Sequence, residues 1–262
     1  MKLFFTATVI LTLQVCFGQI PNGYYDSAFG HKGESLKTQL NLIIKDHKEF
    51  PYTNKQTDVW NILKDTDRDT LNPNNVLLIY SGWSRNANLE YNSGKGWSRE
   101  HVWAKSHGDF GTTNGAGTDV HALRPCDVSV NSARNSRWFA ECSTEYVDKD
   151  GLTGSHTSTS LWVWKPNENV KGDVARMIFY MATRYEGEGK EPDLEVVDYI
   201  PAKDSKEPIH AKQSDLIQWH LDDPVDNWER NRNNIIYTKY QKNRNPFIDH
   251  PEYVQRIWGN GN

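Results

Sequence analysis

Apolar residues recur at helical spacing in several stretches of this chain and form strand-like runs in only a few. Leu36, Leu40, Ile43 and Ile44 predict an amphipathic helix over 34–48. Val59, Trp60 and Leu63 predict a second over 54–64, with Thr53 as its cap. The clearest helix is 170–185, where Val174, Met177, Ile178 and Met181 share one face. Two more are expected over 212–221 and 225–242, parted by Asp222-Asp223-Pro224, and a short one over 252–258. Strands are expected at 76–80, 99–103, 118–123 and 161–164, with a helix over 127–135. The flexible 108–117, the small residues of 151–160 and the acidic 186–208 read as connections. No βαβ alternation and no separating linker is visible. The fold class is therefore α+β, a mainly helical single domain.

The apolar run at the start stands apart from this pattern. Residues 1–18 have a charged start at Lys2, an apolar centre from Leu3 to Val15, and Cys16-Phe17-Gly18 before Gln19, which is the layout of a signal peptide. The run is shorter than the roughly twenty apolar residues of a membrane span. The expectation is export to the periplasm or the medium, with 19–262 as one domain and no membrane span. Cys126 and Cys142 would remain after processing. In an oxidising compartment a disulfide and a pair of free thiols are equal alternatives. A bridge would close a loop of about 15 residues, worth roughly 3 kcal/mol in the chain-entropy picture.

Charge changes the picture next. A formal net charge of −4 argues against a uniformly basic wrapper of nucleic acid. The distribution is uneven, however: 186–207 holds eight acids and three lysines, whereas 95–137 holds six basic residues and four acids. A basic cleft inside an acidic protein is compatible with that layout. The mean hydropathy of −0.76, together with ten tryptophans, implies a polar surface over an aromatic-rich core.

The basic stretch is also where chemistry-bearing groups concentrate. Glu100 and His101 are adjacent, Asp119-Val120-His121 follows a glycine-containing gap, and Asn131 and Arg134 close the run. Hydrolysis of a phosphodiester needs an activated water and something to offset charge on phosphorus. Histidine is the natural base near neutral pH, which assigns His101. On a strand Glu100 faces the other way and can ligate a metal, with Asn131 offering a second, neutral oxygen. Oxygen ligands suit one hard divalent cation, Mg²⁺ first, with Ca²⁺ or Mn²⁺ as alternatives. His107, Asp119 and His121 read as loop or packing residues. Arg230, Arg232, Lys239, Lys242 and Arg244 read as a solvated helix face with ion pairs.

Arg99-Glu100-His101-Val102-Trp103, then Asp119-Val120-His121-x-Leu123-x-Pro125, then Asn131 and Arg134-Asn135, resemble in this order the endonuclease I family of secreted bacterial nucleases. That family belongs to the ββα-metal (His-Me finger) nucleases. DPVDNWERNRN and NRNPFIDHP, between Asp223 and Pro251, are similar to its C-terminal part, so the resemblance spans most of the chain after the leader. It implies a ββα-metal element at about 97–139, His101 as general base, and Glu100 and Asn131 as ligands of a single metal. In the family that ion stabilises the phosphorane-like transition state and the departing 3′ oxygen, leaving 5′-phosphate ends. Little sequence preference is implied, with DNA and often RNA as substrates.

Some relatives contact the phosphate with an arginine between the histidine and the second strand. Here Lys105 is the strong base of that interval, so Lys105, Arg124 and Arg134 are the candidates for nucleic-acid contact. Lysine would act as a point charge without arginine's bidentate fork. Ala104 stands where proline is common, and Ala122 where an amide or histidine is common. Two other readings use different features. One is a zinc hydrolase on His101, His107 and His121, whose spacing follows no recognised ligand pattern. The other is a non-catalytic nucleic-acid-binding module carried by the helices. Oligomeric state leaves no signature.

Overall fold

The computed structural model describes residues 20–259, so the leader expected over 1–18 lies outside the described residues. In chain order the elements are α1 (Gly33–Ile44), α2 (Val59–Thr66), β1 (Asn75–Leu77), β2 (Ser84–Asn86), β3 (Trp97–His101), β4 (Leu123–Asp127) and α3 (Val128–Arg134). Then come β5 (Trp138–Phe139), β6 (Glu145–Asp148), β7 (Gly151–Ser158), β8 (Val163–Lys165), α4 (Lys171–Arg184), β9 (Glu195–Val196) and β10 (Ile209–His210). The chain closes with α5 (Gln213–Asp222), α6 (Asn227–Lys239), α7 (Pro246–Asp249) and α8 (Glu252–Trp258). None of these helices is long and apolar enough to cross a membrane.

Every residue of α4 is buried. Its charged positions tolerate this because they are paired, as buried charge requires. Arg176 closes on Glu229 at 2.6 and 2.7 Å, and Arg184 on Glu191 at 2.8 and 2.9 Å. Around α4 the core gathers Leu36, Leu40 and Ile44 of α1, Leu216 and Trp219 of α5, and Val254 and Ile257 of α8. Val102, Cys126 and Val130 join the same cluster. On its other side the β3–β4 ribbon packs Trp97 and Leu123 against Val59, Ile62 and Leu63 of α2. The ribbon is thus clamped between two apolar clusters, which makes it a rigid platform.

Three departures from the sequence pattern have physical causes. Helix α2 starts at Val59 because Asp58 forms a reciprocal capping box with Asn61, a better cap than Thr53. The strands of the ribbon are 97–101 and 123–127 rather than 99–103 and 118–123. Residues 119–122 form a turn in which the Asp119 carboxylate accepts from His121 N at 2.9 Å and its carbonyl from Ala122 N at 3.0 Å. The third concerns the balance of elements. A four-stranded sheet in the order β5-β8-β7-β6 fills 138–165, where a single strand was expected. Its longest strand, β7, is made of small polar residues, so no apolar alternation announces it. Thr153 and Ser155 are buried there because their hydroxyls bond the carbonyls of Tyr146 and Tyr80. The architecture is a mixed α+β single unit, with helices around the core and four small sheets among the described residues. Cys126 and Cys142 are both free thiols, which removes the disulfide alternative.

Candidate active site

The ribbon and the helix after it bring the candidate residues to one place. Strands β3 and β4 pair antiparallel, with Glu100 opposite Arg124 and Trp97 opposite Asp127. Asp127 ends β4 and caps α3, accepting from Ser129 N at 2.8 Å and Val130 N at 3.4 Å. The helix therefore starts at a fixed point, and Asn131 emerges one turn later beside Ser98 of β3. A cleft of about 380 Å³ is lined there by Tyr52, Arg99, Glu100, His101, Lys105, Asn131 and Arg134, with Ser136 at its edge. A larger hollow, about 560 Å³, lies between residues 20–29 and the His250–Tyr253 region and contains none of these groups. The candidate residues line the smaller one.

His101 has its Nε2 2.9 Å from the Gly117 carbonyl. A carbonyl only accepts, so Nε2 carries the proton and Nδ1 keeps its lone pair. Burial pushes the imidazole pKa down to about 4, opposed by the Gly117 carbonyl and assisted by Lys105, Arg99 and Arg134. The ring is neutral at any pH well above that. The Tyr52 ring lies nearly parallel to it, at 5.5 Å and 21°.

Glu100 is buried, and burial lifts its carboxyl to about 7, with Arg134 and the Tyr80 hydroxyl holding it down. Tyr80 Oη donates to Oε1 at 2.8 Å, and Arg134 Nη1 lies 3.2 Å from the same oxygen. Among the described residues no hydrogen bond or ion pair is made to Oε2. Asn131 donates Nδ2 to Ser98 Oγ at 3.1 Å, which turns its Oδ1 away, also without a partner. One carboxylate oxygen and one amide oxygen left open at a cleft fit a hard cation. Tyr80 adopts a φ of 71°, a conformation that costs a bulky residue about 1–3 kcal/mol. Ser155 and Asn167 both donate to its carbonyl and hold it so.

The other expected residues divide. Lys105 is exposed at the cleft. Arg134 reaches the cleft wall, but its Nη atoms are engaged by the His101, Val102 and Asn135 carbonyls at 2.7–3.2 Å and by Glu100. It fastens α3 to the end of β3. Arg124 does not join the cleft, which corrects its expected role in substrate contact. It is buried against Asp67 at 2.5 Å and Asp173 at 3.2 Å, with Trp228 under its guanidinium. Of the C-terminal basic residues, Arg232, Lys239 and Arg244 are paired with Asp67, Asp65 and Asp249. His107 stacks on Trp138 and His121 lies 3.3 Å from the Asn243 carbonyl, so the three histidines of the zinc reading do not assemble. Among the described residues the acids close enough to share an ion are Asp127, Asp148 and Asp150, and Arg85 already sits on two of them.

Sequence reasoning missed three contributors. Arg99 lines the cleft with its guanidinium 3.4 Å from the Tyr52 ring and 4.1 Å from the Trp60 ring, bonded to the Tyr52 carbonyl and Thr53 Oγ1. Strand alternation places Arg99 on the side of His101, a signal that was available. Tyr52 and Tyr80 come from distant loops and gave none.

Residues 32–252 match a family described as Endonuclease I. The chain is 53% identical over 235 residues to an extracellular ribonuclease of Bacillus subtilis (strain 168), covering 90% of this chain and 78% of that protein. It is 49% identical over 235 residues to an extracellular ribonuclease of Bacillus amyloliquefaciens, with the same shares covered. On a match over this much of its length, the chain belongs to the endonuclease I family.

Proposed function

We propose that this protein is a secreted, metal-dependent and largely sequence-tolerant endonuclease acting on RNA and DNA, with a ββα-metal (His-Me finger) site at 97–139. The observation that carries the reading is the set of open atoms at one cleft: Nδ1 of His101, Oε2 of Glu100 and Oδ1 of Asn131. Secretion and action on RNA are supported by the names of the two relatives.

His101 Nδ1 takes a proton from water as the water oxygen bonds to phosphorus. The bond from phosphorus to the 3′ oxygen breaks, that oxygen takes a proton from solvent, and a 5′-phosphate end is left. Glu100 and Asn131 would hold one divalent ion, Mg²⁺ first, which when bound offsets charge on the phosphoryl group. Arg99 and Lys105 have no ion pair among the described residues and supply positive charge for the phosphate. Tyr80 and Arg134 fix the Glu100 carboxylate, and Tyr52 restrains the His101 ring. Contacts of this kind address the backbone and carry no base sequence.

The test is cleavage of single-stranded RNA and DNA by purified protein with Mg²⁺ or with EDTA, followed by end-group analysis. The expected result is cutting of both, 5′-phosphate ends, and loss in EDTA. Cleavage of RNA alone that persists in EDTA and leaves 2′,3′-cyclic phosphate would make the ribose 2′-hydroxyl the nucleophile and overturn the reading.

A further inference from the structure

Beyond Ser136, at the edge of the cleft, lies a cluster that the reaction above does not use. Trp162 ends the turn between β7 and β8, and its Nε1 donates to Ser136 Oγ at 3.4 Å. Sheet pairing places it there, since Trp138 N donates to the Trp162 carbonyl at 3.0 Å and Val163 pairs with Trp138. Arg137 stands over the indole at 4.0 Å, and Lys203, from the loop between β9 and β10, at 3.9 Å. That loop is pinned beside the cleft by Gly108 N donating to the Lys206 carbonyl at 3.0 Å. Three separate segments thus converge on one rim.

The cluster differs from the paired cations of α4. Arg176, Arg184 and Lys171 are each matched by carboxylates. Arg137 and Lys203 have no ion pair among the described residues; Arg137 donates only to the Ala133 carbonyl. Burial and the neighbouring Arg134 press the Arg137 pKa down, so its charge is poorly compensated. Two cations against one indole are an arrangement that an anion would relieve. Trp162 is half-exposed and has a φ of 57°, a conformation that suits asparagine or glycine better than an indole. The indole packs against the cluster of Trp138, Ala140, Val163 and Ala211 and carries the two cations beside the cleft.

We propose that Arg137 and Lys203, held together on the Trp162 indole, form a second phosphate subsite, which takes a backbone phosphate of the same single strand that enters the cleft. The proposal rests on the nuclease reading and extends it, giving the enzyme a substrate of several nucleotides instead of one phosphodiester. A backbone phosphate carries no base sequence, which agrees with sequence tolerance.

The test is a double variant, Trp162→Asn with Lys203→Gln, compared with wild type on single strands of about 3 and about 16 nucleotides, the latter at the upper end of single-strand site sizes. The subsite predicts that kcat/KM falls about tenfold on the longer strand, on the order of one or two lost phosphate contacts, and stays within about twofold on the shorter. An equal loss at both lengths, or no loss at either, overturns it. If the wild type cuts neither strand, the nuclease reading fails and the subsite is read from binding of the longer strand. Binding weakened by about tenfold, with a salt dependence shallower by about one phosphate contact, supports it, and unchanged binding overturns it. Lys203→Gln alone, at an exposed position, keeps the salt-dependence readout should the double variant fold poorly.

Discussion

Arg99 and Arg124 sit on the two strands of one ribbon, two residues from being direct neighbours, and the fold treats them in opposite ways. Arg124 and Arg232 close on Asp67, which is fully buried, and Arg124 also on Asp173, so charge is matched inside the protein. Arg99 is held flat between Tyr52 and Trp60 with no carboxylate partner among the described residues, facing the cleft. The difference teaches how to read a basic stretch. A guanidinium whose charge is matched internally is scaffold, and one held by rings and carbonyls keeps its charge for a ligand. Glu100 shows the same division within one side chain, with Oε1 occupied by Tyr80 and Arg134 and Oε2 open.

The comparison breaks most visibly at Asp67. Replacing it with alanine takes the carboxylate from buried Arg232 and leaves Arg124 with Asp173 alone, so unfolding free energy should drop by about 3–5 kcal/mol, measured by urea titration. Activity of the protein that remains folded should hardly change. Equal stability with a large loss of kcat would place the Asp67 cluster in the catalytic machinery and erase the distinction drawn here.

Tyr80→Phe acts on the other region. It removes one hydrogen bond from Glu100 Oε1 and should weaken Mg²⁺ affinity by about tenfold, the low end for an outer partner of a metal ligand. The rate at saturating Mg²⁺ should be nearly kept. Calorimetric titration separates this from a folding defect, and an unchanged affinity with a lowered rate would contradict it.

The smallest effect is in the pH profile. Glu100 titrates near 7 because burial disfavours its charged form, so below that pH a proton competes with the metal. Apparent Mg²⁺ affinity should fall by up to about tenfold per pH unit there. His101, pushed to about 4, stays neutral across this window. The acid limb of activity should therefore move to lower pH as Mg²⁺ is raised. A limb fixed near pH 6.5 at every Mg²⁺ concentration would instead report protonation of His101. The sign for the metal-free fold is the reverse of a salt-bridged acid. With its pKa raised in the folded state, Glu100 favours the fold below the ordinary carboxylate range and withdraws roughly 3 kcal/mol as pH climbs to 7.

Much of this was legible in the order of residues. The helix over 170–185 and the final helix over 252–258 are where periodicity put them, within a residue or so. Glu100, His101, Asn131 and Lys105 do meet at one cleft. What escaped has common causes. Strand β7 lacks apolar alternation because its burial is satisfied by hydroxyl-to-carbonyl bonds. The second strand of the ribbon began later because the Asp119 side chain makes a local turn that hydropathy does not register. Arg124 looked like a ligand for phosphate because its partners, Asp67 and Asp173, lie 57 and 49 residues away. The acidic 186–207 looked solvated, yet Glu186 and Glu195 hold Lys37 and Glu188 holds Lys45, pairs set only by the packing of α1 beside α4. Tyr52 and Tyr80 reach the site through loops, and no local pattern marks a residue whose role is to touch another one.

The central claim is that His101 is the base of a site assembled on this ribbon. Its direct test is His101→Ala, assayed for cleavage of single-stranded RNA and DNA and, in parallel, for binding of the same strands. The account predicts a loss of cleavage of about 10³-fold with a native circular dichroism spectrum and binding retained within a few-fold. Cleavage near the wild-type rate by a well-folded His101→Ala protein would contradict it.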